Sequence, residues 1–343
     1  MQDNYKPWAV DYKDFYNLTE KEDRLKFLLR FALLAPSSHN SQPWRFKISD
    51  NKIFVYPEEK RALPKSDKNG RQLHLSLGTA LENLLVAADF YGYKTGVNYF
   101  PSESPDAVMT VEFQETESVK HGDDAIVKSI LSRHANRNKY SNKKLPEEFL
   151  VRVKSLSRDG FRVYVIQDKK LKDKISDVVS DALIEAMDDR DFRSELSGYI
   201  KSNTTKAKTG MPMFGFGMPT ILSYLAPAVL KRFNMNKLSR SQDEALLKDH
   251  TPYFVIITSE ADNRESWIKT GQIFESIALM VGREGANTAP MAAAIQIGEH
   301  YKRLQKILGT GLRPQFFFRM GFADLPVHHS PRLGLDDVLE KEY

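Results

Sequence analysis

The amino-acid sequence predicts a protein of the α+β class. Three observations lead to this prediction. Long segments carry apolar residues at helical spacing, short extended segments carry alternating apolar and polar residues, and the two kinds do not follow a regular strand–helix–strand order. Of the 343 residues, 41% are hydrophobic and 28% are charged, so there is enough apolar material for a large core.

The first third of the chain contains two predicted helices separated by a hairpin and followed by two strands. The helix over Lys21–Leu34 places its leucines on one face, and the helix over Leu73–Tyr91 stops before Gly92. The strands are predicted at Trp44–Ile48, Ile53–Tyr56, Val97–Phe100 and Val108–Phe113.

The rest of the chain has a comparable but looser succession. Helices are predicted at Asp124–Arg133, after Pro146, and at Leu171–Met187, Glu265–Arg283 and Met291–Leu308. Strands are predicted at Phe161–Ile166, at Tyr253–Thr258 and within Pro314–Phe322. A segment rich in glycine and proline, extending to about residue 245, separates the first elements from the last.

Composition excludes several functions. The net charge of +5 is spread over 50 basic and 45 acidic residues without a block of like charges, which gives no support to nucleic-acid binding. With no cysteine, the chain has no disulfides, thiolate catalysis or cysteine-bound metals, and no metal site is predicted. The first residues have no apolar core typical of a secretory signal, so a cytoplasmic location is expected.

The segment 209–230 carries no charge and is long enough to span a bilayer. Its three prolines and three glycines would leave backbone groups unpaired in lipid, so membrane insertion is not expected. The segment is therefore predicted to be a flap folded over a pocket. A membrane-associated protein without a cofactor stays open as an alternative.

A polar turn between Pro36 and Pro43 is the most informative feature of the chain. Each proline disfavours helix at the preceding residue, and the residues between them are hydroxyl, amide and imidazole side chains. Trp44 then adds a large flat surface. A rigid polar turn beside an aromatic plane suits a planar heterocycle with hydrogen-bonding edges.

The string Ala-Pro-Ser-Ser-His-Asn-Ser-Gln-Pro-Trp-Arg-Phe at 35–46 closely resembles the signature of the nitroreductase family of flavoproteins. This resemblance implies a mixed or antiparallel sheet flanked by helices and a turn that contacts the ring of FMN. The length of the chain resembles the Acg-like branch, in which one polypeptide mimics the usual dimer. The implied halves are 1–122 and 123–343, with a lid insertion at about 190–248, in a monomeric pseudo-dimer that binds one FMN.

The same resemblance implies the cofactor site. Two arginines within 133–137 resemble a phosphate-binding element, although Ala135 replaces its usual serine, and arginine pairs at this spacing also occur on solvated helices. Alanines at 292 and 293 stand where the family commonly has Glu-Gly beside the flavin N5. The predicted cofactor-binding residues are Pro36, Ser37, Ser38, Asn40, Arg133, Ala135, Arg137, Pro290, Met291, Ala292, Ala293, Ser330 and Arg332. The segment 67–73 is interpreted as structural or as contacting the ring edge.

The function implied by the resemblance is that of an FMN-dependent oxidoreductase. It would take electrons from NAD(P)H or another reductant and pass them to a small flat acceptor of the quinone or nitroaromatic type. No side chain is assigned a catalytic role, because the protein would position the reactants and tune the flavin. The alternative is a protein that stores FMN beneath a closed lid without turnover.

Overall fold

The structure is a computed structural model that describes residues 2–116, 124–158, 160–234, 244–323 and 328–340. Its described helices are α1 Lys21–Ala32, α2 Arg71–Phe90, α3 Ala125–Ser132, α4 Glu147–Ser155, α5 Lys169–Asp188, α6 Arg190–Tyr199, α7 Thr220–Ser223, α8 Ala226–Arg232, α9 Arg264–Arg283, α10 Ala293–Gln296 and α11 His300–Leu308. Residues 244–249 are also helical. The strands are β1 Trp44–Ser49, β2 Lys52–Pro57, β3 Tyr93–Tyr99, β4 Met109–Glu115, β5 Phe161–Ile166, β6 Ile200–Lys201, β7 Met211–Pro212, β8 Tyr253–Ser259, β9 Asn287–Pro290 and β10 Arg313–Gly321. The predicted α+β class is confirmed.

Two four-stranded antiparallel sheets form the framework. The first has the order β1-β2-β4-β3 and the second β5-β8-β10-β9. If the four strands of each sheet are numbered by their order in the chain, both sheets have the spatial order one, two, four, three. A 20-residue helix, α2 or α9, connects the second and third strands in each case. The two sheets therefore share one topology, which the looser element order read from the sequence does not reveal.

Helices α2 and α9 cross at two glycines. A Cβ added to Gly78 would lie 1.9 Å from the carbonyl oxygen of Ile268, and one added to Gly271 would lie 2.0 Å from that of Leu75. The contact is reciprocal, because each glycine meets the residue three positions before the other. Only a residue without a side chain allows the two backbones to approach this closely.

The C-terminal segment returns to the first sheet. The backbone N–H of Phe46 in β1 donates to the carbonyl of Val338 at 2.8 Å, and the N–H of Glu340 donates to the carbonyl of Phe46 at 2.8 Å. This pairing places residues 328–340 beside the polar turn that precedes β1. The predicted boundary between the halves, at 122/123, lies outside the described residues.

Most predicted elements are confirmed, with the strand Phe161–Ile166 matching residue for residue. The single helix predicted over Met291–Leu308 is wrong. The N–H of Met291 donates to the carbonyl of Phe317 and so continues the sheet, and two short helices follow, separated at Gly298. Gly298 has φ of +49°, which an uninterrupted helix does not allow.

The predicted lid insertion at about 190–248, which contains the predicted flap, consists of short elements between α5 and β8. Strands β6 and β7 pair in parallel, and α7 and α8 follow them. The part of the insertion over 235–243 lies outside the described residues. In the part of the chain that the structure describes, no helix is both long enough and apolar enough to cross a membrane.

Candidate functional site

The polar turn is rigid and has an uncommon backbone. His39, Asn40 and Gln42 have φ values of 52°, 54° and 53°, in the left-handed region that residues with a side chain seldom enter. The hydroxyl of Ser37 accepts from the N–H of Gln42 at 2.9 Å. Such backbone strain persists only where surrounding contacts enforce it, and it is frequent at ligand sites.

Helix α2 holds one side of this turn. The N–H of Ser38 donates to the hydroxyl of Ser76 at 3.3 Å, and the hydroxyl of Thr79 donates to the carbonyl of Pro36 at 2.7 Å. Both partners lie on α2 beside Gly78. The crossing of the two long helices therefore also determines where the predicted ring-contacting residues lie.

Asn40 connects three distant segments. Its buried amide nitrogen donates to the carbonyls of Gly210 at 3.0 Å and Pro331 at 2.9 Å. Its side-chain oxygen accepts from the guanidinium of Arg332 at 2.8 Å. The side chain thus has partners on both ends and cannot rotate freely.

The lid rests directly on the turn. The N–H of Gly210 donates back to the carbonyl of Asn40 at 3.2 Å, and the amide of Gln42 donates to the carbonyl of Lys208 at 2.7 Å. The lid also covers Arg137, whose guanidinium lies 4.8 Å from the centre of the Phe216 ring and 3.9 Å from the sulfur of Met211. The predicted flap is therefore in contact with the predicted site.

Arg133 and Arg332 have partners within the protein. Arg133 forms an ion pair of 3.1 Å with the buried Glu275, and both guanidinium groups donate to the carbonyl of Leu34, at 3.3 and 3.0 Å. Burial raises the pKa of Glu275 to about 7, against the attraction of Arg133. Burial, together with the charge of Arg133, lowers the pKa of Arg332 to about 9.

Arg137 differs from these two arginines. Burial lowers its pKa to about 10, and the nearby charge of Arg319 acts in the same direction. Among the residues with described positions, no carboxylate lies within 4.0 Å of its guanidinium. Arg137 is thus a partly buried cation beneath the lid, and none of the described residues supplies it with a direct counter-charge.

The segment 133–137 lies alongside β9. Ala135 and Thr288 form an isolated parallel β-bridge, and the N–H of Asn136 donates to the carbonyl of Thr288 at 3.0 Å. Strand β9 ends at Pro290, so the two second-half elements predicted for the cofactor are adjacent. Ala292 and Ala293 stand at the start of α10, where N–H groups have no partner within the helix.

The structure joins Asn40, Arg332 and Ser330 into one network, since Arg332 also donates to the Ser330 carbonyl at 3.4 Å. Arg137 lies close to that network, because the lid contacts both Arg137 and the polar turn. Within the described ranges, no hydrogen bond joins residues 290–293 to the turn at 36–40.

A cavity of about 460 Å³ lies next to this region, within the size range of ligand pockets. The loop over 65–71, the α5–α6 corner, residues 295–298 and Arg313 line it, whereas the thirteen predicted cofactor residues do not. The segment 67–73, interpreted from the sequence as structural or ring-edge, thus contributes to this wall. Glu195 ties the lid to it by accepting from the N–H and the hydroxyl of Ser66, at 2.8 and 2.6 Å.

Sequence reasoning missed two residues of the site. Glu275 is the counter-charge of Arg133, and a lone carboxylate on an otherwise apolar face of α9 was the signal that could have found it. The sequence identifies His39 only as part of the turn. Its Nδ1 is buried without a partner, and burial lowers its pKa to about 4, so the ring is neutral at pH 7.

No family model matches the chain. Two curated relatives from Mycobacterium tuberculosis are provisionally named NAD(P)H nitroreductase, and each is 24% identical to the chain. One alignment covers 93% of this chain and 91% of the relative, and the other, with the protein named acg, covers 92% and 95%. The crystal structure of the FMN-dependent nitroreductase NfnB from Mycobacterium smegmatis in complex with NADPH covers 64% of this chain and 99% of that chain, at 16% identity and a TM-score of 0.43. The curated relatives, which align over more than nine-tenths of the chain, confirm the predicted resemblance to Acg-like proteins.

Proposed function

We propose that this chain, an Acg-like nitroreductase by its resemblance over more than nine-tenths of its length, is an FMN-dependent oxidoreductase. It takes electrons from NAD(P)H and passes them to a flat acceptor of the quinone or nitroaromatic type. The relatives' names support the nicotinamide reductant. The acceptor class follows from the family resemblance and from the aromatic and methionine side chains of the lid.

The observation that carries the proposal is the charge of Arg137, whose guanidinium is partly buried and has no carboxylate within 4.0 Å among the described residues. A buried cation is costly unless an anion or several acceptors compensate it. Next to it stand the strained polar turn and the orphaned Nδ1 of His39. A ligand with an anionic phosphate and a planar ring that accepts and donates hydrogen bonds would satisfy each of these groups.

These residues fit FMN. Arg137 would hold the phosphate, and the turn at 36–40 would contact the ring. The backbone N–H groups of Ala292 and Ala293 would reach the N5 side of the ring. Arg133 and Arg332 contribute positive charge from a second layer, because Glu275, Leu34 and Asn40 already occupy their donors. When bound, FMN supplies hydride and electron transfer.

The protein's own contribution is positioning and exclusion of water. The hydrogen bonds from Gly210 and Gln42 hold the lid on the turn, and Phe216 covers the guanidinium of Arg137. Opening this lid would admit the nicotinamide and the acceptor in turn. A lid step of this kind often limits the rate of an enzyme.

The shared strand order and the reciprocal glycine contact support a further part of the proposal, an internally duplicated pseudo-dimer with halves at 1–122 and 123–343. The polar turn occurs once, so one FMN per monomeric chain is expected. Its site takes the turn from the first half and the arginine segment from the second.

The absorption spectrum of the purified protein, reconstituted with FMN, tests the proposal. We expect a flavin band at a stoichiometry of one per chain, bleaching under anaerobic NADPH, and recovery when a quinone is added. If the protein binds no FMN at FMN concentrations well above the dissociation constants of known flavoproteins, the assignment is overturned.

The alternative function, storage of FMN without turnover, is favoured by one observation. The lid and the turn exchange hydrogen bonds in both directions between Gly210 and Asn40, which stabilises a closed state. Under this alternative the protein binds FMN, but NADPH does not bleach it. Removing the contact with Asn40→Ala would then restore bleaching, whereas an active enzyme bleaches without the substitution.

A further inference from the structure

The outer face of the lid exposes an unusual amount of apolar surface. Ile221 is 83% exposed and Leu225 is 61% exposed. We define the lid face by the exposed side chains of Phe216, Ile221, Leu222, Tyr224, Leu225, Val229 and Phe233. Exposed apolar surface of this kind marks a site of contact with another protein or with a membrane.

The lid face does not arise from poor packing. Helices α7 and α8 have an inner side on which Ala226 and Leu230 pack against Met211 and Met213. Ser223 on α7 is buried and accepts from the N–H of Asn203 at 3.0 Å. The two helices are therefore held by their inner side, while the large apolar residues point outward.

The segment of sequence that carries the lid face has charges of one sign only. From Leu196 to Gln242 the sequence contains no Asp or Glu, whereas it contains Lys201, Lys206, Lys208, Lys231, Arg232, Lys237 and Arg240. Lys231 and Arg232 are exposed and end α8 directly beside Phe233. Positive side chains thus flank the exposed apolar ones along the sequence.

We propose that the lid face docks on the surface of an anionic lipid bilayer. Its apolar side chains would enter the boundary between headgroups and acyl chains, and the flanking lysines and arginines would contact lipid phosphates. This contact lies in the plane of the membrane and differs from the spanning segment that the sequence disfavours.

The basic residues of this segment favour an anionic bilayer over other occupants. In a two-fold dimer through this face, each basic patch would meet its own copy, which repulsion disfavours. Most of the face is formed by two short helices. A fluid bilayer accepts such a surface without shape complementarity.

Sedimentation of the full chain with lipid vesicles tests the proposal. We expect binding to vesicles of roughly three parts phosphatidylcholine to one part phosphatidylserine, weak binding to phosphatidylcholine alone, and release in about 0.5 M NaCl. The double variant Ile221→Ser/Leu225→Ser should lower the partition coefficient roughly tenfold. The variant Lys231→Gln/Arg232→Gln should lower it on the anionic vesicles and remove most of the salt dependence.

Matched controls lie on the other side of the second sheet. Val151→Ser removes an exposed apolar side chain of α4, and Lys144→Gln/Lys154→Gln removes two exposed charges near that helix, so neither should change binding. Absence of binding to anionic vesicles, or equal losses in the controls, would overturn the proposal. A concentration-dependent dimer in sedimentation velocity, lost in Ile221→Ser/Leu225→Ser without vesicle binding, would assign the face to a second copy instead.

Discussion

Arg332 donates a hydrogen bond of 2.8 Å to the side-chain oxygen of Asn40, 292 positions earlier in the chain. The same guanidinium donates at 3.0 Å to the carbonyl of Leu34, which also accepts from Arg133 at 3.3 Å. The end of α1, the polar turn and the C-terminal segment are therefore joined by one buried side chain. The position of the turn depends on a residue that follows the last strand of the second sheet.

This relationship predicts a large effect of Arg332→Met. The variant leaves the buried oxygen of Asn40 without its charged donor, so we expect the free energy of unfolding to fall by about 2–4 kcal/mol. Arg303→Met is the control, because Arg303 is half exposed and pairs with Asp181 on the surface, where the change should stay below about 1 kcal/mol. Urea unfolding monitored by tryptophan fluorescence measures both. Equal midpoints for the two variants would contradict the structural role of Arg332.

The helix crossing predicts that Gly271→Ala is not tolerated. The new Cβ would lie 2.0 Å from the carbonyl oxygen of Leu75, so the helices must separate and their shared core must open. Overpacking of this kind costs about 1–3 kcal/mol, and more where backbone atoms clash. Thermal unfolding of purified protein measures the loss.

Gly282→Ala is the matched control on the same helix. Nothing lies within 4 Å of the Cβ that it would add, so alanine should stabilise α9 by up to about 1 kcal/mol. A destabilised Gly282→Ala, or a Gly271→Ala protein as stable as wild type, would show that α2 and α9 do not cross as described.

The elements that the sequence predicts correctly are those determined by local periodicity. Helices α2 and α9 carry their apolar residues at helical spacing over 20 positions each, and β5 alternates strictly enough for its bounds to be read directly. Residues 291–308 carry the same kind of pattern, yet the N–H of Met291 pairs with the carbonyl of Phe317. A partner so distant in the chain overrides local preference, and no periodicity reveals it.

The candidate site shows the same division. The family motif places Asn40 in the site, but its contacts with Gly210 and Pro331 depend on how the chain returns from 170 and 291 positions away. Likewise, the sequence treats Arg133 and Arg137 as equivalent. Only the structure shows that Glu275 pairs with the first, while no described carboxylate pairs with the second.

The buried Glu275 predicts a dependence of stability on pH. Burial raises the pKa of its carboxyl to about 7 in the folded protein, from an ordinary value of 4.5. Between these values the folded protein keeps a proton that the unfolded chain has released, so the free energy of unfolding falls as pH rises from about 4.5 to 7. We expect this carboxyl to account for a decrease on the order of 1–3 kcal/mol between pH 5 and pH 7.5.

Glu275→Gln should remove that part of the pH dependence, because a glutamine has the shape of the protonated acid and does not titrate. Glu265→Gln serves as the control on the same helix, since Glu265 is only partly buried and pairs with Lys269 at the surface. Chemical unfolding at several pH values measures the slopes. A slope for Glu275→Gln that matches wild type would mean that the carboxyl titrates alike in both states.

Arg137 predicts opposite effects on stability and on cofactor binding. Arg137 is partly buried and has no carboxylate partner among the described residues. Arg137→Gln should therefore leave the stability of the protein without FMN unchanged or raise it by up to about 1 kcal/mol. The same change removes a charge-assisted contact to the phosphate, so the Kd for FMN should rise roughly ten- to a hundredfold. Fluorescence titration with FMN and urea unfolding measure the two quantities on one preparation.

Lys139→Gln, which removes an exposed charge two positions away, should alter neither the FMN affinity nor the stability. A variant Arg137→Gln that loses stability and keeps its FMN affinity would identify Arg137 as a structural residue and remove the phosphate from the proposed site.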